Sequence, residues 1–298
     1  MLLLAPLSFA GEFNLIKIGP DYEPESYEQI ELPGRAMKAG IFSYIPKFSD
    51  NGKPEYTLKA GVLVNGATIY YVDSEINTKT LPKKSEYSGG FDPGGDTNFS
   101  LYGDFLLMDS WAYGTGHNRR MYLFRLYENK VELLDVIVNA SIKRGVYMDF
   151  VSVLSGNRNN GVGWTSINDF DNNGNPEIEV EILRGHQTDN DFLDKIFVLY
   201  FEIKNKRLAV NLNPALYRPL FEKTVYIYKP QKKPDAYYIY GFLAGALTLR
   251  EIKDTLASDQ NQYMSVVPLV TDKDKWSDAF HEYNGEKPVL IKHDLQVR

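Results

Sequence analysis

The sequence predicts a mainly β protein of antiparallel, propeller-like or sandwich architecture with a small α-containing C-terminal part. Three observations lead to this prediction. Short apolar segments alternate with turn-forming residues over most of the 298 residues, which is typical of all-β sandwiches and propellers. The 21 tyrosines and 16 phenylalanines suit strands, in which aromatic side chains are enriched. Helix signals are concentrated in the last third of the chain.

The predicted strands follow an irregular, proline-containing segment at residues 11–40. The clearest unit is a hairpin of residues 56–63 and 67–72, because Asn65-Gly66 between two apolar runs is a strong hairpin signal. Residues 88–98 are predicted to form a polar loop, since they contain four glycines. Further strands are predicted at residues 41–45, 105–108, 121–126, 131–138, 147–154, 195–203 and 207–210.

The last third of the chain combines strand and helix signals. Residues 224–228 and 236–240 are predicted as strands, and residues 289–291 as a terminal strand. Thr248 and Glu251 have the spacing of a capping box, which predicts a helix that runs to Ala257. A second helix is predicted at residues 273–283, because aromatic and alanine side chains recur there with helical spacing.

These elements predict three segments. Residues 1–10 are interpreted as the remnant of a signal peptide, because the apolar run LLLAPLSFA ends in the small-x-small pattern Ser8-Phe9-Ala10. An N-terminal strand is the alternative. Residues 11–229 are predicted to form a β-rich, repeat-like domain and residues 230–298 a C-terminal α+β extension. The leader predicts a periplasmic or secreted location.

Composition excludes several classes of function. The chain contains no cysteine, which excludes disulfides, thiolate metal sites and cysteine nucleophiles. The net charge of −6 argues against a general nucleic-acid surface. No stretch approaches the roughly 18 apolar residues of a membrane span, and no P-loop, nucleophile elbow or His-Glu-x-x-His motif occurs. We therefore expect neither a nucleic-acid partner nor a membrane span, and we assign no catalytic residue.

The segment DFDNNGNPE at residues 169–177 has oxygen-bearing side chains at every second position. These are Asp169, Asp171, Asn173, Asn175 and Glu177. Calcium takes ~6–8 oxygen ligands, and Gly174 can adopt the positive φ that a sharp turn requires. The pattern predicts a structural Ca²⁺ loop. A plain polar turn is the alternative, because asparagine, aspartate and glycine also favour turns.

The spacing of the acidic residues distinguishes this loop from an EF-hand. An EF-hand has a bidentate glutamate at its twelfth position, whereas this segment has Val180 there and its last acid, Glu177, at the ninth position. Apolar and acidic residues then alternate over residues 178–182. Alternation with a period of two predicts a half-buried strand that begins directly after the loop.

The segment DFDNNGNPEI resembles the D-x-D-x-[DN]-G-x-x-[DE]-[IL] loop of FG-GAP/VCBS-type repeats, which also occur in integrin-like β-propellers. The resemblance implies side-chain ligation by Asp169, Asp171, Asn173 and Glu177, and ligation by the backbone carbonyl of Asn175. Asparagine stands at two places where the family often has aspartate, so we expect weak affinity, ~10⁻⁴–10⁻³ M. Residues 47–58 align as a degenerate copy that carries lysine at the first ligand position. We expect this copy to be a metal-free turn.

The sequence thus predicts an exported, calcium-binding β protein that acts as a binding or scaffold module. The alternative is a secreted hydrolase of glycans or phosphoesters that uses the aspartate-rich loops. Such an enzyme needs paired carboxylates, and with 39 acidic residues such pairs also arise by chance. A third hypothesis is an inhibitor or adhesin with aromatic loops. The partner, protein or glycan, and the oligomeric state do not follow from the sequence.

Overall fold

The computed structural model describes ten segments of the chain: residues 22–46, 58–66, 68–72, 95–112, 120–142, 146–150, 166–185, 196–227, 233–283 and 287–294. The predictions for the leader at residues 1–10 and for the degenerate loop copy up to residue 57 lie outside these segments. Within them the protein is mainly antiparallel β, as predicted. None of the described helices is both long enough and apolar enough to cross a membrane.

Fifteen strands lie in the described segments: β1 (Tyr22–Glu31), β2 (Lys38–Pro46), β3 (Leu58–Asn65), β4 (Thr68–Val72), β5 (Gly95–Tyr102), β6 (Phe105–Ala112), β7 (Arg120–Leu126), β8 (Val131–Val138), β9 (Ala140–Ile142), β10 (Val146–Phe150), β11 (Ser166–Asn168), β12 (Glu177–Gly185), β13 (Ile196–Lys204), β14 (Arg207–Val210) and β15 (Leu290–Asp294). The helices in the same segments are α1 (Pro214–Ile227), α2 (Asp235–Leu243), α3 (Leu249–Leu256), α4 (Gln260–Thr271) and α5 (Trp276–Ala279). A 3₁₀ turn, Lys273–Lys275, precedes α5.

The described strands form three sheets. The first sheet has the order β1-β2-β3-β4-β15, so the last described strand returns to pair with β4. The second sheet is the meander β5-β6-β7-β8. The third has the order β14-β13-β12-β10-β9, and β11 also pairs with β12. The described pairings between neighbouring strands are all antiparallel.

The second sheet lies between the two hydrophobic cores. Leu107 and Leu123 are paired across β6 and β7 and belong to the core that contains the third sheet and the helices. Met108 and Tyr122, the next pair along, belong to the core shared with the first sheet. Because successive side chains of a strand point to opposite faces, this sheet is buried on both sides and joins the two cores.

One face of the third sheet packs against α5. Ile178 of β12 pairs with Phe201 of β13 and both are fully buried. The ring of Phe280, just after α5, lies 5.1 Å from that of Phe201 and 5.4 Å from that of Phe150. The alternation predicted for residues 178–182 is therefore confirmed, with the apolar side chains in the core.

Helices α1 and α2 cover the part of β13 that extends beyond the short strand β14. The hydroxyl of Tyr217 in α1 accepts a hydrogen bond from the amide of Tyr200, and that of Tyr240 in α2 accepts one from the amide of Val198. Among the described strands, β14 pairs only with residues 201–204 of β13 and does not reach these two amides, and a buried unpaired amide is costly. The tyrosine hydroxyls thus replace the missing strand.

Several predicted elements are confirmed. The hairpin around Asn65-Gly66 forms between β3 and β4, with Gly66 at a φ of 60°. The predicted strands that fall in β2, β6, β7, β8, β13 and β14 are present, and so are the capped helix α3 and the terminal strand β15. Of the strand predicted at residues 147–154, residues 147–150 belong to β10, and residues 151–154 lie outside the described segments. The chain turns from β13 to β14 through Asn205 and Lys206, both with positive φ, a combination typical of two-residue hairpin turns.

Other predicted elements are wrong. Residues 224–227 belong to α1 and residues 236–240 to α2, not to strands. Residues 22–31 form β1, because an edge strand tolerates the missing amide of Pro24 at a register shift. Of the loop predicted at residues 88–98, residues 95–98 belong to β5, and residues 88–94 lie outside the described segments. The helix predicted over residues 273–283 is reduced to the 3₁₀ turn and the short helix α5.

Candidate metal site

Three carboxylates of the loop at residues 169–177 meet in one place. One oxygen atom from each of Asp169, Asp171 and Glu177 lies within 4.8 Å of the other two. The loop connects β11 to β12, and the pairing of Asn168 with Glu177 holds its two ends together. The antiparallel pairing of two short strands therefore brings the first and ninth residues of the loop next to each other.

The backbone of the loop curls around the side chain of Asp169. Its Oδ1 accepts a hydrogen bond from the amide of Asn173 (2.9 Å), and its Oδ2 accepts one from the amide of Gly174 (2.9 Å). The curl requires positive φ at two residues, Asn172 (58°) and Gly174 (88°). Gly174 adopts this conformation at little steric cost, as the sequence suggested, and asparagine is among the residues that tolerate it best.

Glu177 is the deepest of the three acids. The residue is 0% exposed, and its Oε2 accepts a hydrogen bond from the amide of Phe170 (2.9 Å). Its Oε1 is buried and has no hydrogen-bond partner among the described residues. Burial raises the pKa of Glu177, and the negative charges of Asp171 and Asp169 raise it further. Hydrogen bonds from the backbone amides of Phe170 and Asp171 act in the opposite direction but do not cancel this increase. The burial of the ionised carboxylate is therefore only partly compensated.

The two asparagines predicted as ligands lie on the exposed side of the loop. The Oδ1 of Asn173 accepts hydrogen bonds from the backbone amide (2.7 Å) and the side-chain amide (3.0 Å) of Asn175. Both residues are exposed. The structure therefore brings the three acids of the predicted set together, while the asparagines bond to each other at the rim. The ligand roles of all five residues remain predictions.

Asn213 is a contact of this site that sequence reasoning missed. It lies between β14 and α1, and its Nδ2 donates a hydrogen bond to Oδ2 of Asp171 (3.0 Å). The same side chain accepts a hydrogen bond from the amide of Ala215 through Oδ1 (3.1 Å), which caps the first turn of α1. The pair Asn213-Pro214 is a helix-start signal that would have located α1, but no local pattern indicates contact with a loop 42 residues away.

Aromatic side chains pack between the loop and the third sheet. The ring of Phe170 lies 5.3 Å from that of Tyr200 in β13, and Tyr200 in turn contacts Tyr217 at 5.6 Å. Burial raises the pKa of Tyr200 far above its usual range, so its hydroxyl stays protonated and donates to Glu179 (2.9 Å). This layer attaches the loop to the third sheet independently of Asn213.

Comparison with known proteins finds no matching family model, no matching curated sequence and no matching solved structure. The class of ligand that the site suits is therefore argued from the residues of the site. Three carboxylates carry up to three negative charges, and each carboxylate oxygen can accept more than one interaction. Ligands of oxygen alone suit hard cations such as Ca²⁺, Mg²⁺ and Mn²⁺ rather than metals that prefer sulfur or imidazole.

Proposed function

We propose that this protein is an exported calcium-binding β protein that acts as a binding or scaffold module, and that the loop at residues 169–177 holds a structural Ca²⁺. The observation that carries the proposal is the buried Oε1 of Glu177, which lacks a partner among the described residues and belongs to a cluster with Asp169 and Asp171. A divalent cation bound between the three carboxylates would give Oε1 of Glu177 a partner and offset the repulsion among the three negative charges.

The choice of calcium rests on ligand type and on the loop. Calcium accepts irregular sets of side-chain, carbonyl and water oxygens, whereas magnesium requires near-octahedral geometry. Asn173 and the carbonyl of Asn175 are the further ligands that the resemblance to FG-GAP/VCBS-type loops implies. A repeat-based, propeller-like or sandwich organisation of the β-rich segment belongs to the same proposal. Export is part of it because of the leader pattern and because weak calcium sites are typical of extracellular modules.

The role we assign to the ion is to fix the connection between β11 and β12. Without a cation, ionised Asp169, Asp171 and Glu177 repel one another across less than 4.8 Å. A ligand that binds only the folded protein stabilises it by mass action, by about 2.7 kcal/mol at 100 times its Kd. The folded module, with its surfaces for a protein or glycan partner, thus becomes more stable where calcium is abundant.

Thermal unfolding of the protein in EGTA and in about 10 mM Ca²⁺ tests the proposal, with Mg²⁺ as the comparison ion. We expect a calcium-specific rise in Tm of a few degrees, and no rise in Asp171→Ala. The matched control is Asp254→Ala, which removes an exposed aspartate of α3 that is paired only loosely with Arg250 at 3.7 Å. An equal calcium response in wild type and Asp171→Ala, or no response in wild type, contradicts the site.

A further inference from the structure

We infer that Asn213 couples the proposed calcium site to helix α1, so that cation binding stabilises the seating of α1 on β13. This inference rests on the proposed calcium site and adds a regulated element to it. Asn213 contacts Asp171 of the loop through Nδ2 and the amide of Ala215 in α1 through Oδ1. One side chain therefore joins a proposed ligand to the first turn of a helix.

The contact fixes Asn213 in one orientation. Its Nδ2 donates to Asp171 and its Oδ1 accepts from Ala215, so the two ends of the amide have different partners and a flip would break both hydrogen bonds. The backbone amide of Asn213 donates to Oδ1 of Asn211 (3.0 Å), which holds the residue from the side of β14. Movement of the Asp171 carboxylate therefore acts on the start of α1.

A second path leads from the same helix back to the loop. The hydroxyl of Tyr217 in α1 donates to the carbonyl of Asn211 (2.7 Å) and accepts from the amide of Tyr200. The ring of Tyr200 contacts Phe170, the second residue of the loop. The loop, Asn213, α1 and β13 thus form a closed circuit of contacts. Its two connections to the loop end at neighbouring residues, Asp171 for Asn213 and Phe170 for Tyr200.

The circuit predicts the direction of the coupling. A cation between Asp169, Asp171 and Glu177 draws the three carboxylates together and restricts the Asp171 side chain. Groups that hydrogen-bond to metal ligands orient them, and their loss typically weakens metal binding about 10–100-fold. Coupling between two sites is reciprocal, so a side chain that positions Asp171 for the cation also transmits cation binding to α1.

Asn213→Ser separates the two contacts of Asn213. Serine is a good N-cap, so its hydroxyl keeps an acceptor for the first turn of α1, but its side chain is too short to reach Asp171. Asn65→Ser is the matched control, because Asn65 also donates its side-chain amide to a distant group, the carbonyl of Glu128. That contact joins the first and second sheets and does not involve the loop.

The experiment combines calcium titration with hydrogen exchange followed by mass spectrometry. In the wild type, we expect Ca²⁺ to increase protection of peptides that cover the first turns of α1 and Tyr200, while α3 stays unchanged. In Asn213→Ser we expect a calcium Kd about 10-fold higher and loss of the calcium-dependent protection of α1 at saturating Ca²⁺. Asn65→Ser should behave as wild type in both measurements.

Three other outcomes overturn the inference. If Asn213→Ser binds calcium with wild-type affinity and still protects α1, Asn213 is only a helix cap, and the calcium site stands. If wild type binds calcium without any change in the exchange of α1, the coupling is refuted by wild type alone, even if the variant fails to fold. If wild type shows no calcium binding at all, the calcium site itself is wrong and the coupling is rejected with it.

Discussion

Two buried carboxylates of this protein have opposite surroundings. Asp135 of β8 is 2% exposed and Glu177 of β12 is 0% exposed. The Oδ2 of Asp135 accepts a hydrogen bond from the amide of Leu208 (2.6 Å) and lies 2.7 Å from Nε2 of His281. The Oε1 of Glu177 has no partner among the described residues. Burial alone therefore does not distinguish the two acids, and the proposed calcium site depends on the unsatisfied Oε1 of Glu177.

The surroundings of Asp135 form a self-contained connection between three elements. Asp135 lies on β8, Leu208 on β14, and His281 just after α5. The other ring nitrogen of His281 contacts the carbonyl of Ser277, whose hydroxyl accepts a hydrogen bond from the amide of Val210. These contacts hold α5 against the second and third sheets, and they need no additional ligand.

The largest expected effect is at Asp135. Asp135→Asn can keep an oxygen at the place of Oδ2, but both hydrogen bonds there lose a charged acceptor, and an NH2 group replaces Oδ1. A hydrogen bond to a charged group is worth about 1 kcal/mol more than a neutral one, so we expect a cost of about 2 kcal/mol. We expect a loss of this size in urea denaturation, and the same loss in EGTA and in Ca²⁺. A loss that differs between EGTA and Ca²⁺ would mean that Asp135 is coupled to the loop at residues 169–177. It would contradict the view that the two acids contribute to stability independently.

The same change at Glu177 is expected to have the opposite sign. Glu177→Gln keeps an oxygen for the amide of Phe170 and removes a buried charge close to Asp169 and Asp171. In EGTA we expect the variant to be more stable than wild type by about 1 kcal/mol, because a buried unpaired charge is costly. It should lose the calcium response. Destabilisation in EGTA, as at Asp135, would show that Glu177 already has the partners it needs.

Sequence patterns predicted the parts of the fold that depend on near neighbours. Three such features depend on residues only a few positions apart, and all three are present. They are the hairpin turn at Asn65-Gly66, the alternation of apolar and acidic residues after Glu177, and the capping box of Thr248 and Glu251. The loop at residues 169–177 belongs to this group, because its acids are two to eight positions apart. Their convergence follows from the curl of the loop and the pairing of β11 with β12.

The parts that sequence patterns missed depend on distant contacts. Tyr238, Ile239 and Tyr240 have the composition of a strand, yet they belong to α2, where all three are buried against the third sheet and neighbouring helices. Tertiary packing there overrides local preference. Asp135 and His281 are 146 residues apart, so no local pattern relates them.

A smaller effect is expected at the turn of the loop. Gly174 has a φ of 88°, and a Cβ added there meets no atom of the described residues within 4 Å. The cost of Gly174→Ala therefore comes from the positive φ of the backbone. We expect a loss of about 1 kcal/mol and a weaker calcium response. Gly34→Ala is the matched control, because Gly34 also has positive φ (72°) and open space but lies outside the loop. It should lose similar stability and keep the full calcium response.

The smallest effect is expected at an exposed acid, Glu251, whose Oε2 accepts two hydrogen bonds from Thr248. The backbone amide of Thr248, followed by its hydroxyl, lowers the pKa of Glu251, the reverse of the direction at Glu177. Because the pKa is lower in the folded state, the stabilising contribution of Glu251 is fully present above its ordinary pKa of 4.5 and is lost as pH falls through the lowered value. Thr248→Ala removes the hydroxyl contact and should lower Tm at pH 7 by about 2 °C. The difference from wild type should shrink in acid and be the same in EGTA and Ca²⁺. If the difference in Tm between wild type and Thr248→Ala grew in acid, the contact with Thr248 would not favour the ionised form of Glu251.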